Sequence, residues 1–135
     1  MDCDLWFSSE SYNKMVEDSL NGKSDIDGGL LTFTATNPRY SFAQIGPNDM
    51  VVKTAEKVAI SNHAITGAFF FAKAQDFFDS AAELLKRPID EKTPEYYLSL
   101  LYNILIDDGK KIQAAYVDEY ASFGTPQELA AYNSR

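Results

Sequence analysis

Cysteine, histidine and basic side chains are all scarce in this chain. A single cysteine, Cys3, excludes an internal disulfide and any metal site built from several thiolates, and it suits a reducing compartment. The single histidine, His63, precedes an apolar stretch and is assigned no role. Only 12 Lys and Arg stand against 20 Asp and Glu, a net charge of −8. No basic run exceeds the pairs Lys86-Arg87 and Lys110-Lys111. Nucleic acid and anionic membrane surfaces both require a cationic patch, so neither is expected as a partner. The longest purely apolar stretch, Ala68 to Ala72, is far too short to cross a bilayer. The first twenty residues carry Asp2, Asp4, Glu10, Glu17 and Asp18, the reverse of the basic start of a signal peptide. A soluble, cytoplasmic protein is expected.

What is present is enough for a core. The 135 residues are 45% hydrophobic with nine Phe and eight Tyr, which fits a single domain over residues 1–135. Ser8 or Ser9 caps a predicted helix from Glu10 to Leu20, stopped by Asn21-Gly22. Leu30 to Thr36 is β-branched and apolar and reads as a strand. Tyr40 to Ile45 and Met50 to Ala55 flank Gly46-Pro47-Asn48-Asp49, a small hairpin. The apolar run Thr66 to Ala72 suits a strand buried on both faces. Helices follow at Ala74 to Lys86, burying Phe77, Phe78, Ala81, Leu84 and Leu85, and at Glu95 to Asp107. Lys111 to Val117 reads as a strand, and Pro126 opens a last short helix. Strands alternating with helices predict an α/β layered domain on a mostly parallel sheet.

Several residue groups could carry chemistry. Asp2-Cys3-Asp4 places two carboxylates on one face of an extended chain, where both can reach one hard cation. Two exposed acids at a frayed terminus are the plainer alternative. Glu56-Lys57 follows a short strand, and Gly67 lies inside an apolar one, where close approach of a ligand is one reason for a glycine. Gly124-Thr125-Pro126 makes a turn into the last helix whatever else it does.

Taken together, Asp4-Leu5-Trp6-Phe7, Tyr40-Ser41, Glu56-Lys57, Ile65-Thr66-Gly67, Glu95-Tyr96-Tyr97-Leu98 with Asn103, and Gly124-Thr125-Pro126 resemble, in order and spacing, the sugar-1-phosphate nucleotidyltransferases. Such enzymes join a nucleoside triphosphate to a sugar 1-phosphate, giving an NDP-sugar and pyrophosphate. The resemblance implies a partial, Rossmann-like nucleotide-diphospho-sugar transferase fold with Met1-Asp2-Cys3 closing a strand. It implies a sugar-phosphate site of Ser41, Glu56, Lys57, Thr66 and Gly67, with Glu56 accepting from sugar hydroxyls and Lys57 facing the phosphate. It implies Mg²⁺ held by Asp4 and Asp2. The aromatics of Glu95-Tyr96-Tyr97-Leu98 are expected to pack in the core.

Departures from the pattern matter too. Ser41 stands for a glycine, Phe69 for a frequent Tyr, and Ser122 for an Asp that serves many members as a second metal ligand. The family's Gly-rich loop with its Arg and Lys has no counterpart among these residues, so the chain is expected to be the sugar-binding half, truncated and inactive alone. Self-association or pairing with a nucleotide-binding half would then cover the open sheet. A non-catalytic sugar-phosphate-binding or partner subunit is the alternative. A fragment of a nucleotide-sugar glycosyltransferase using Asp2 and Asp4 is a third reading, against which the Glu-Lys pair and the Gly-Thr-Pro tail argue.

Overall fold

The computed structural model describes residues 1–89 and 94–134. Strand β1 (Leu5–Ser8) leads into helix α1 (Glu10–Leu20), whose start is fixed twice. The Ser9 hydroxyl accepts from the Tyr12 N–H at 3.0 Å, and Asp118 accepts from the Glu10 N–H at 2.7 Å. Then come β2 (Gly28–Thr34), β3 (Ser41–Ile45), a 3₁₀ turn at Pro47–Asp49, β4 (Val51–Glu56) and β5 (His63–Phe71). Helices α2 (Ala74–Leu85) and α3 (Leu98–Asp107) follow, then β6 (Ile112–Tyr116), β7 (Glu119–Ser122) and α4 (Pro126–Asn133).

The main sheet has the order β4-β3-β5-β2-β6, and β1 and β7 form a separate antiparallel pair. Only β2 and β6 run parallel; β2–β5, β3–β5 and β3–β4 are antiparallel. The expectation of a mostly parallel sheet is therefore corrected to a mixed one. The short connection from β3 to β4 makes an antiparallel hairpin, since neighbouring parallel strands need a crossover of a dozen or more residues, and β5 lies antiparallel to both of its neighbours, β3 and β2. A second correction concerns Asp4. It lies just ahead of β1, not at the carboxyl end of a strand.

The sheet separates two apolar layers by strict alternation. Leu30, Ile65, Ile112 and Ala114 face α3, where Tyr102 and Leu105 meet them. Leu31, Ala68 and Ala115 face the other way onto Met15 of α1 and Ile26. Tyr102 is fully buried, stacked near Phe69 and Phe71, and its hydroxyl lies 3.0 Å from the Phe70 carbonyl and 3.2 Å from that of Gly29. In α2 the buried stripe is narrower than expected. Phe77, Ala81 and Leu84 pack inward, whereas Phe78 and Leu85 are more than 60% exposed.

Helix α3 starts three residues later than its sequence suggests. Tyr97 keeps an extended backbone (φ −113°, ψ 139°). The Tyr96 hydroxyl donates to the Arg87 carbonyl at 2.8 Å, so the aromatics anchor outside the helix. Within α3, Ser99 and Asn103 stand one turn apart and face the edge strand β4. Asn103 Oδ1 accepts from the Thr54 N–H at 2.7 Å while its Nδ2 donates to the Thr54 carbonyl at 2.9 Å. The Thr54 hydroxyl donates to the Ser99 carbonyl at 2.6 Å. A side-chain amide thus completes the backbone pairing that an edge strand lacks.

Replacing Asn103 by Ala should leave both Thr54 backbone groups without a protein partner. Urea unfolding is expected to register a loss of about 1–3 kcal/mol, and a change below about 0.5 kcal/mol would show that the seam adds little.

Candidate functional site

Antiparallel pairing puts Ser41, at the start of β3, directly opposite Glu56, at the end of β4. Next to them β5 contributes Thr66 and Gly67, α3 contributes Ser99, and β7 contributes Tyr120 and Ser122. These residues, with Asp2, Asp4, Arg39 and Tyr40, line one cavity of about 390 Å³. That volume lies in the range of small-molecule sites. Every residue expected at the site, apart from Lys57, contributes to this lining.

Glu56 is fixed by α3. Its carboxylate accepts from the Ser99 hydroxyl at 2.8 Å. Burial raises its pKa above the ordinary value, which the Ser99 hydrogen bond and the charge of Lys57 only partly oppose. A half-buried carboxylate with one hydroxyl donor still has open acceptor positions toward the cavity.

Gly67 sits where the β2–β5 register shifts, with φ +94°. A side chain there would be strained, and its Cβ would fall 2.2 Å from an Asp2 carboxylate oxygen. The glycine is required, but the group it admits is Asp2. The Asp2 N–H also donates to the Gly67 carbonyl at 3.1 Å. Asp4 is held by the β1–β7 pair, its carbonyl accepting from the Phe123 N–H at 2.8 Å.

Lys57 sits beside the cavity, against Tyr97 of its lining. Its ammonium donates to the Tyr97 hydroxyl at 2.8 Å and lies over that ring, outside the cavity lining. Among the lining residues Arg39 is the basic one, a position the sequence reading did not single out. Arg39 donates to the Tyr40 hydroxyl and pairs with Glu128 of α4. Tyr96 and Tyr97, expected in the core, line the cavity instead. Phe33 stacks on Tyr120 at 4.4 Å and meets Tyr40 edge-on at 5.1 Å, which ties the β1–β7 pair to the main sheet beside the site.

Three carboxylates, Asp2, Asp4 and Glu56, thus face one guanidinium. Burial and then the neighbouring Asp4 charge raise the pKa of Asp2. That repulsion is what a divalent cation relieves, and Mg²⁺ commonly takes one or two carboxylates and fills its remaining positions with phosphate oxygens and water. The pair Asp2 and Asp4 fits such an ion. No group of three or more His, Cys, Asp or Glu placed to hold a metal occurs among the described residues, so no all-protein cage is formed. Nor is any described helix long and apolar enough to cross a membrane.

No protein-family model matches the sequence. A search of curated proteins finds no match either. Solved structures do match. The nucleoside-diphosphate-sugar pyrophosphorylase from Vibrio cholerae RC9 superposes with a TM-score of 0.75 at 29% identity, covering 87% of this chain and 48% of that one. A putative glucose-1-phosphate thymidylyltransferase from Bacillus anthracis, solved with sucrose, gives a TM-score of 0.69 at 21% identity over 97% of this chain and 50% of that one. The second likeness concerns the fold alone. The chain spans about half the length of both structures. It carries a mixed α/β fold of the kind found in these proteins.

Because burial raises the Glu56 value, the folded state holds the Glu56 proton more tightly than the unfolded chain does. Stability from this group is present below the ordinary Glu value of 4.5 and is lost as pH rises through the higher folded one. Glu56→Gln should remove that loss. Thermal unfolding between pH 4 and 7 is expected to show the variant gaining on the wild type as pH rises, and parallel curves would contradict the assignment.

Proposed function

We propose that this chain is the sugar-phosphate-binding portion of a sugar-1-phosphate nucleotidyltransferase. The observation that carries the reading is the single cavity in which Ser41, Glu56, Thr66 and Gly67 meet Asp2 and Asp4. Its support is a fold matched, over most of this chain, by a nucleoside-diphosphate-sugar pyrophosphorylase.

In this reading Glu56 accepts hydrogen bonds from sugar hydroxyls, and Ser99 holds its carboxylate in place. The Ser41 hydroxyl and backbone groups near Gly67 complete the contact with the ring. Discrimination follows from that geometry, because an analogue lacking a hydroxyl leaves a half-buried carboxylate short of a donor. Asp2 and Asp4 would hold Mg²⁺, which neutralises phosphate charge when bound. The sugar-phosphate oxygen attacks the α-phosphorus of a nucleoside triphosphate in line, and pyrophosphate leaves. Positioning and electrostatics dominate such a step.

Since the chain corresponds to about half of its structural neighbours, the elements that bind the triphosphate belong to the other half, in the same polypeptide or in a partner. A second reading is a sugar-phosphate-binding subunit with no turnover of its own, favoured by the scarcity of cationic residues around the cavity.

Calorimetry with glucose 1-phosphate and Mg²⁺ is expected to show binding that Glu56→Ala weakens about tenfold. Pyrophosphate release by the 135-residue chain should stay at background with any nucleoside triphosphate. Absent binding, or equal binding by the variant, would remove the sugar site. Turnover lost in Asp4→Ala would show instead that this half is catalytic unaided.

A further inference from the structure

The one guanidinium in the cavity wall is already occupied by a carboxylate of the same chain. Arg39 pairs with Glu128, and the Ser122 hydroxyl donates to Glu128 Oε2 at 3.1 Å. Arg39 also donates to the Tyr40 hydroxyl, whose own proton remains available. Arg39, Tyr40 and Ser122 all line the cavity. Glu128 is the third residue of α4, in a capping arrangement where Thr125 accepts the Glu128 N–H at 3.2 Å. Asp4 and Glu128 both approach Gly124, where a Cβ would lie 2.9 Å from the carboxylate of the one and 3.6 Å from that of the other.

We infer that Arg39, Tyr40 and Ser122 form a phosphate-binding subsite that the chain's own Glu128 occupies, so that α4 is a competitive latch on the sugar-phosphate site. The inference rests on the sugar-phosphate reading above and names the residues that would take the phosphate. An arginine fork accepts a carboxylate and a phosphate by the same two-point geometry. A phosphate monoester brings more charge and three terminal oxygens, enough to engage the guanidinium and both hydroxyls together. The charge balance points the same way. With Glu128 seated, Arg39 is spent on an internal partner while Asp2, Asp4 and Glu56 face the cavity. Displacing Glu128 returns the positive charge to the ligand.

The latch is built to yield. The Arg39 side chain is 44% exposed and that of Glu128 21%, so water already screens the pair. Helix α4 buries none of its residues fully, and its hold on the rest of the chain includes the edge-on contact of Tyr132 with Phe123 at 5.1 Å. A short helix held in this way can tilt without opening the core.

Calorimetry on the full chain, at fixed Mg²⁺, tests this with glucose 1-phosphate, inorganic phosphate and unphosphorylated glucose. Glu128→Gln keeps the side chain's size and its contact with Ser122 but removes the competing charge. It should bind glucose 1-phosphate and phosphate about three- to fivefold more tightly, with glucose unchanged. The gain should vanish when Arg39→Gln is added. Arg39→Gln alone should weaken glucose 1-phosphate and spare glucose, an arm that stands even if the Glu128 variant loosens α4. Equal affinity of wild type and Glu128→Gln, a gain that survives loss of Arg39, or an Arg39→Gln chain that binds glucose 1-phosphate normally would each overturn the latch and leave the sugar site standing. Glucose 1-phosphate bound by none of the proteins would overturn both readings.

Discussion

The rest of the structure depends on the polar seam between α3 and β4. An edge strand exposes alternate N–H and C=O groups, and at Thr54 both are taken by the Asn103 amide. One turn earlier Ser99 receives the Thr54 hydroxyl on its carbonyl and gives its own hydroxyl to Glu56. Residues two apart on a strand therefore meet residues four apart on a helix, and the match fixes the helix along the strand. The same match carries Glu56 to the cavity and holds it half-buried. Cross-strand pairing then brings Ser41 opposite it.

The cavity poses an electrostatic problem that its walls do not solve. Three carboxylates and one guanidinium cannot by themselves attract a phosphate. The chain answers in two places. Asp2 and Asp4 lie where a cation would relieve their repulsion, and Arg39 is held in reserve by Glu128. Both arrangements leave the site weak toward phosphate until something else arrives, a cation in one case and the ligand itself in the other. The net charge of −8 makes that dependence stronger at low salt.

Much of this was legible in the residues. Ser9 before Glu10, Pro126 after Gly124-Thr125, and the strand pattern of Lys111 to Val117 announce elements whose chemistry is local. The order of short motifs also pointed to residues that share one cavity. What escaped was set by tertiary contact. Strands β1 and β7 are four residues each and exist because they pair with each other. The mixed sheet follows from connection lengths, which are visible, combined with partner choice, which is not. Tyr96 and Tyr97 look like core aromatics, yet they hydrogen-bond the Arg87 carbonyl and the Lys57 ammonium outside the core and line the cavity. Nothing local to Arg39 marks it, and only the return of α4 and β7 beside it makes it part of the site. Gly67 was readable as a close approach, but that the approaching group is Asp2 required the fold.

The most direct test of the account is a titration of the ¹⁵N-labelled chain with glucose 1-phosphate in the presence of Mg²⁺, followed by amide shifts. The account predicts that the amides of Ser41, Glu56, Thr66, Gly67 and Ser99 move together with one binding curve, while those of α1 and of the outer face of α2 stay still. Shifts confined to other surfaces, or none at all up to millimolar ligand, would contradict it.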